Sequence, residues 1–217
     1  LLDLIPPLLY RDLIDNVLPQ KNASRLNLVA LGMIGIRYRV HGREKLTSQR
    51  AMVFCSNHES NVDPPVLFQA LHSRLHVLFK AELKKLPVLG AVMVAGGFVP
   101  VERDRKEASM ASIDHAAESI REGNSFLIFP EGTRSRTAEM LPFKKGGFIM
   151  AIKAQAPIVP VAVSGGRAAM QKGSWFVRPV MVDVRIGEPV ETAGMTVDDR
   201  DALIEIVRAR IEDLRRA

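Results

Sequence analysis

From residue 36 onward, short apolar runs alternate with stretches of helical period. The runs are "IRYRV" at 36–40, "AMVFC" at 51–55, "LHVLF" at 75–79, "FVPV" at 98–101, "SFLIF" at 125–129, "IVPVAV" at 158–163 and "VMVDVRI" at 180–186. Their length and their content of β-branched and aromatic residues predict strands. Between them, apolar residues recur at helical spacing, most clearly over Lys106–Arg121, Gly147–Ala154 and Val197–Arg216. Strands alternating with helices predict an α/β fold: a mixed, largely parallel sheet covered by helices on both faces. Loops at strand ends are where such sheets collect ligands and carry chemistry.

The segment before residue 36 has a different pattern. In "PPLLYRDLIDNVLP", Leu9, Leu13 and Val17, beside Tyr10, Ile14 and Leu18, recur every four residues, with Arg11, Asp12, Asp15 and Asn16 elsewhere on the wheel. This predicts an amphipathic helix opened by Pro6 and Pro7 and closed by Pro19. One apolar stripe serves packing on the domain's own core or contact with a membrane surface, and periodicity does not separate the two. The run "LNLVALGMIGI", Leu26 to Ile36, falls short of the roughly 20 residues needed to cross a bilayer. The expected division is an N-terminal helical segment at 1–35, capable of membrane association, and a main domain at 36–217. A sequence starting at Leu1 leaves room for a preceding targeting or membrane segment.

The composition is that of a globular chain: 217 residues, 47% hydrophobic and 25% charged, enough for one substantial core. Thirty Lys and Arg against 24 Asp and Glu give a formal charge of +6, which favours anionic partners. Only 6% of residues are aromatic, and no zinc-finger or RNA-recognition signature is present, so no nucleic-acid partner is expected. A single cysteine, Cys55, excludes an internal disulfide framework. The five histidines are scattered, with no second histidine or cysteine at ligand spacing around His58, so no metal site is expected.

Three segments carry candidate chemistry. The first, "SNHESNVDPP" at 56–65, follows a predicted strand. On a continuous helix His58 and Asp63 would point about 140° apart, but a strand-to-helix turn can bring them together. There the carboxylate would hold one imidazole nitrogen and leave the other free as a base; the same residues also suit a polar turn in which Asp63 caps a helix starting at Pro64. In the second, "FLIFPEGTRSR", Gly132 allows close backbone approach to a ligand, Thr133 can donate a hydroxyl and Arg134 can grip a phosphate, with Arg136, Lys144 and Lys145 following. A surface turn needing positive φ explains the glycine equally well. The third, residues 78–105, joins Lys80, Lys84 and Lys85 to a long apolar stretch ending at Arg103 and Arg105. It suits a ligand with an anionic head and an apolar tail, or a buried helix and strand with solvated ends.

Taken together, "NHESNVD", "FKAEL", "GGFVPVER", "FPEGTRS" and "APIVPVAVSG" resemble, in order and spacing, the glycerophospholipid acyltransferase family, closest to bacterial 1-acylglycerol-3-phosphate acyltransferases. The similarity covers roughly residues 36 to 190. It implies transfer of a fatty acyl group from a thioester, on coenzyme A or acyl carrier protein, to the free glycerol hydroxyl of lysophosphatidic acid, giving phosphatidic acid without a cofactor. It further implies that His58 takes the hydroxyl proton, that Asp63 orients the ring, and that Lys80, Arg103, Glu131, Gly132, Thr133 and Arg134 surround the acceptor's glycerol phosphate. Pro160 is implied in the acyl site, and the protein is expected at the cytoplasmic side of a membrane as a peripheral protein on an anionic surface. Glu59 departs from the family's more frequent Gln or Arg, and "FVPVER" is one of several variants of its block, so the acceptor is less closely specified than the reaction.

Three competing readings set the tests. Cys55 could carry the acyl group covalently, although the alternation in "AMVFCSNH" turns it into the core. The acceptor could be another lysophospholipid or a glycerophosphate. The chain could also be a non-catalytic phospholipid-binding module, which would need cations but no oriented base.

Overall fold

The computed structural model describes residues 31–32, 35–46, 50–71, 75–82, 99–101, 106–135, 137, 139–169 and 177–217. The amphipathic stretch expected within 1–35 lies outside the described residues. Each of the seven apolar runs forms a strand: β1 (Ile36–His41), β2 (Val53–Ser56), β3 (Leu75–Lys80), β4 (Val99–Val101), β5 (Ser125–Ile128), β6 (Ile158–Ser164) and β7 (Val180–Ile186). The described helices are α1 (Asp63–Leu71), α2 (Lys106–Arg121), α3 (Gly146–Ala154), the short α4 (Gly166–Ala169) and α5 (Arg200–Arg216). The helix expected from Val197 starts with one tighter turn, Val197–Asp199, where Thr196 and Asp199 form a reciprocal capping box before α5 begins.

The strands make one sheet in the order β1-β7-β6-β2-β5-β3-β4. Only β6 and β7 run antiparallel; every other neighbouring pair is parallel. The sheet is therefore mixed and largely parallel, as the alternation predicts. All four residues of β2 and of β5 are buried, which suits central strands covered on both faces. Successive side chains point to opposite sides. Val53, Cys55, Phe126 and Ile128 join the core formed with α2, α3 and α5, whereas Met52, Phe54 and Leu127 join the one formed with α1. On α5, Leu203, Ile204, Val207 and Ile211 are buried, the i, i+4, i+8 stripe of a helix lying on a core.

This topology locates a crevice. From β2 the chain passes through α1 on one face and returns as β3, beyond β5; from β5 it passes through α3 on the other face and returns as β6, beyond β2. The two crossovers leave in opposite directions from adjacent parallel strands. The loops at the C-terminal ends of β2 and β5 thus face each other at a topological switch point, where open α/β sheets bind ligands.

Candidate active site

The loop leaving β2 is fixed first by Asn57. Its amide donates to the Val163 carbonyl at 2.8 Å and accepts from the Val163 amide at 2.8 Å, so this buried side chain replaces a rung of backbone pairing with β6. The next residue is His58. A tight turn, with the Asp63 amide donating to the Ser60 carbonyl at 3.1 Å, then brings the chain back into α1.

That turn joins the pair that helical geometry would separate. His58 Nδ1 lies 2.9 Å from Asp63 Oδ2. The same oxygen accepts the amides of Glu59 at 2.6 Å and Ser60 at 2.7 Å. Asp63 is fully buried in the first turn of α1, and its bonds run backward into the loop, so it does more than a helix cap. The same oxygen is thus placed to accept from the ring as well as from the two amides. In the tautomer in which Nδ1 donates to this carboxylate, the lone pair is on Nε2. Asp63 Oδ1 lies against Gly166, at whose position an added Cβ would come within 2.4 Å of it.

The turn after β5 packs on this histidine from three directions. The Phe129 ring stacks on the imidazole, centroids 4.2 Å apart at 27°. The His58 amide donates to Glu131 Oε1 at 2.9 Å, and the His58 carbonyl accepts the Ser135 amide at 3.1 Å. Within the turn, Gly132 has φ +69°, a conformation that favours glycine. A Cβ built there would meet Lys144 Nζ at 2.9 Å, so the Lys144 ammonium lies directly over the turn. Thr133 is exposed and Arg134 half-buried. Glu131 is buried, and its second oxygen accepts the Leu141 amide at 2.8 Å.

Of the residues expected in the site, His58, Asp63, Glu131, Gly132, Thr133 and Arg134 therefore meet at one place. Lys80 ends β3, on the sheet edge where β2 and β5 also end. Arg103 lies outside the described residues, two positions beyond the end of β4. Pro160 is buried in β6, where its carbonyl accepts the Gly187 amide at 2.8 Å. Sequence reasoning gave no part to Asn57, Phe129 or Gly166, whose contacts are with segments distant in the chain. In the sequence Lys144 is one of several cations that follow the turn.

Two nearby groups have shifted acidities. Burial first, and the Glu131 charge second, push the Cys55 thiol far up; with the side chain fully buried, this environment opposes the thiolate that would have to carry an acyl group. Burial first, then the neighbouring Asp63 carboxylate, raise the Glu59 carboxyl above its ordinary value, against the lowering pull of Arg167 and Arg215. The Arg215 guanidinium, near the end of α5, stands 3.8 Å from Glu59. Among the described residues, no group of three or more His, Cys, Asp or Glu is placed to hold a metal ion, and no helix is long and apolar enough to cross a membrane.

A family model described as Acyltransferase matches residues 37–164. The human 1-acyl-sn-glycerol-3-phosphate acyltransferase beta is 35% identical over 172 residues, covering 79% of this chain and 62% of that protein. The 1-acyl-sn-glycerol-3-phosphate acyltransferase of Limnanthes douglasii is 33% identical over 180 residues, covering 82% of this chain and 63% of its own. This chain thus spans somewhat under two thirds of the length of these relatives. The crystal structure of the 1-acyl-sn-glycerophosphate (LPA) acyltransferase from Thermotoga maritima superimposes with a TM-score of 0.75 at 27% identity, over 90% of this chain and 79% of that one.

Proposed function

We propose, for a chain that belongs to the acyltransferase family, that it moves a fatty acyl group from a thioester to the free glycerol hydroxyl of lysophosphatidic acid, making phosphatidic acid for phospholipid biosynthesis. The observation that carries this reading is the 2.9 Å bond between His58 Nδ1 and Asp63 Oδ2, set beside a turn bearing Arg134 and overlain by Lys144. A phospholipid-binding module needs cations but no oriented base.

In this reading Nε2 of His58 removes the proton of the acceptor's hydroxyl as its oxygen attacks the thioester carbonyl carbon. The resulting tetrahedral intermediate collapses by breaking the carbon–sulfur bond. The thiolate leaves with the proton from His58, so the ring returns to its starting form and an ester replaces the thioester. Asp63 holds the imidazole and stabilises its transient positive charge. Arg134, Thr133 and Lys144, with Lys80 and Arg103, hold the acceptor's phosphate while Gly132 lets it approach the backbone, and this fixing of the hydroxyl is itself a large part of catalysis.

The donor is a coenzyme A or acyl carrier protein thioester, and no metal or cofactor takes part. Residues 36–217 form the catalytic domain, and 1–35 dock it on the anionic cytoplasmic face of a membrane as a peripheral protein. The test is thioester consumption with lysophosphatidic acid and with other lysophospholipids or glycerol 3-phosphate as acceptors. Phosphatidic acid formed fastest supports the reading; faster acylation of another acceptor moves the assignment to that acceptor. No acylation of any of them, with intact binding, favours the binding module.

A further inference from the structure

We infer that Glu131 is a positioning residue for His58 and not a ligand of the acceptor's glycerol phosphate, an inference that rests on the acyl-transfer reading. The resemblance places Glu131 with the cationic residues around the acceptor, but its surroundings are those of a strut. It is 3% exposed. Its Oε1 accepts the His58 amide at 2.9 Å and its Oε2 the Leu141 amide at 2.8 Å, so each oxygen already has a backbone donor. A carboxylate also repels the phosphate that Arg134 and Lys144 would attract.

What Glu131 joins explains its presence. On one side is the base itself, whose carbonyl is held by the Ser135 amide at 3.1 Å and whose ring rests on Phe129. On the other is the segment after the turn, where Arg208 of α5 donates to the Leu141 carbonyl at 3.2 Å and the Met140 carbonyl at 3.3 Å. The Lys144 amide closes the same segment onto the Pro130 carbonyl at 2.8 Å. Glu131 therefore couples the catalytic loop of β2 to a segment anchored on α5. The charge-assisted bond to the His58 amide fixes the backbone from which the ring projects, and small displacements of a catalytic group are expensive: about 1 Å can cost about 10²-fold in rate.

A glutamine at this position has one carbonyl oxygen and one amine, and can accept only one of the two backbone amides. With saturating thioester, Glu131→Gln is expected to lower kcat about tenfold to a hundredfold, with the KM for lysophosphatidic acid within about twofold of wild type. Glu131→Asp keeps the charge, is too short to span both amides, and is expected to behave alike. A raised KM with kcat retained in either variant overturns the inference. Where neither variant folds, co-crystals of the wild type with lysophosphatidic acid decide. A phosphate or glycerol oxygen within hydrogen-bond distance of Glu131 overturns the inference, and both carboxylate oxygens still on His58 and Leu141 support it. A wild type that acylates no acceptor defeats the acyl-transfer reading itself, a result visible before any variant is made.

Discussion

Asp63 Oδ2 gathers three donors at 2.6 to 2.9 Å, so a shift of this one oxygen changes both the tautomer of His58 and the course of the loop. Gly166 controls the room on the other side of the carboxylate. Its φ lies outside the left-handed region, so alanine fits the backbone there, yet the added Cβ would sit 2.4 Å from Oδ1. Gly166→Ala is therefore expected to push Asp63 off His58 and lower kcat about tenfold or more while the far-ultraviolet circular dichroism stays unchanged. Unaltered turnover would show that the carboxylate has slack. His58 and Asp63 were legible because the sequence places them between a strand and a Pro-Pro helix start. Gly166 was not, since a close approach between segments so distant in sequence leaves no local pattern. Glu131 was legible as a member of its turn, but the direction of its carboxylate depends on which backbone amides lack partners, and that is settled only by folding.

At the scale of elements, apolar runs and helical periods located the seven strands to within one or two residues, because each run had to bury its side chains. The order of strands was not available in this way: that β2 lies between β6 and β5 follows from crossover direction and packing, which are non-local. The contact between α5 and the turn from His58 to Asp63 belongs to the same class. It passes through Glu59, whose carboxyl is raised by burial and by Asp63 despite Arg167 and Arg215. A carboxyl with a raised folded pKa binds its proton more readily in the native state, so its ionised form costs stability at neutral pH, and the cost disappears as pH falls through the raised value. Glu59→Gln removes this cost. Its melting temperature is expected to exceed that of wild type by about 2 °C at neutral pH, with the gap closing as the pH is lowered toward the ordinary carboxylate range. A gap that stays constant with pH would show that the ionisation of Glu59 carries no cost, and a less stable variant at neutral pH would show that the Arg215 pairing outweighs the desolvation.

For the whole molecule, the switch point explains why two loops from opposite crossovers meet at one place: the β2 loop carries His58 and Asp63, the β5 turn packs on His58, and in the proposed reaction that turn also holds the acceptor. The formal charge of +6 favours an anionic lipid surface by long-range attraction, and the stripe at Leu9, Leu13 and Val17 would add apolar anchorage. Deleting residues 1–35 is expected to reduce co-sedimentation with phosphatidylglycerol-containing vesicles severalfold, and unchanged binding would rule out a necessary role for that segment. The central claim is that an imidazole oriented by Asp63 removes the acceptor's proton. Its most direct test is His58→Ala assayed with acyl thioester and lysophosphatidic acid, with acceptor binding measured in parallel by equilibrium dialysis. The account predicts a kcat at least about 10²-fold below wild type with acceptor affinity retained; turnover at the wild-type rate would contradict it.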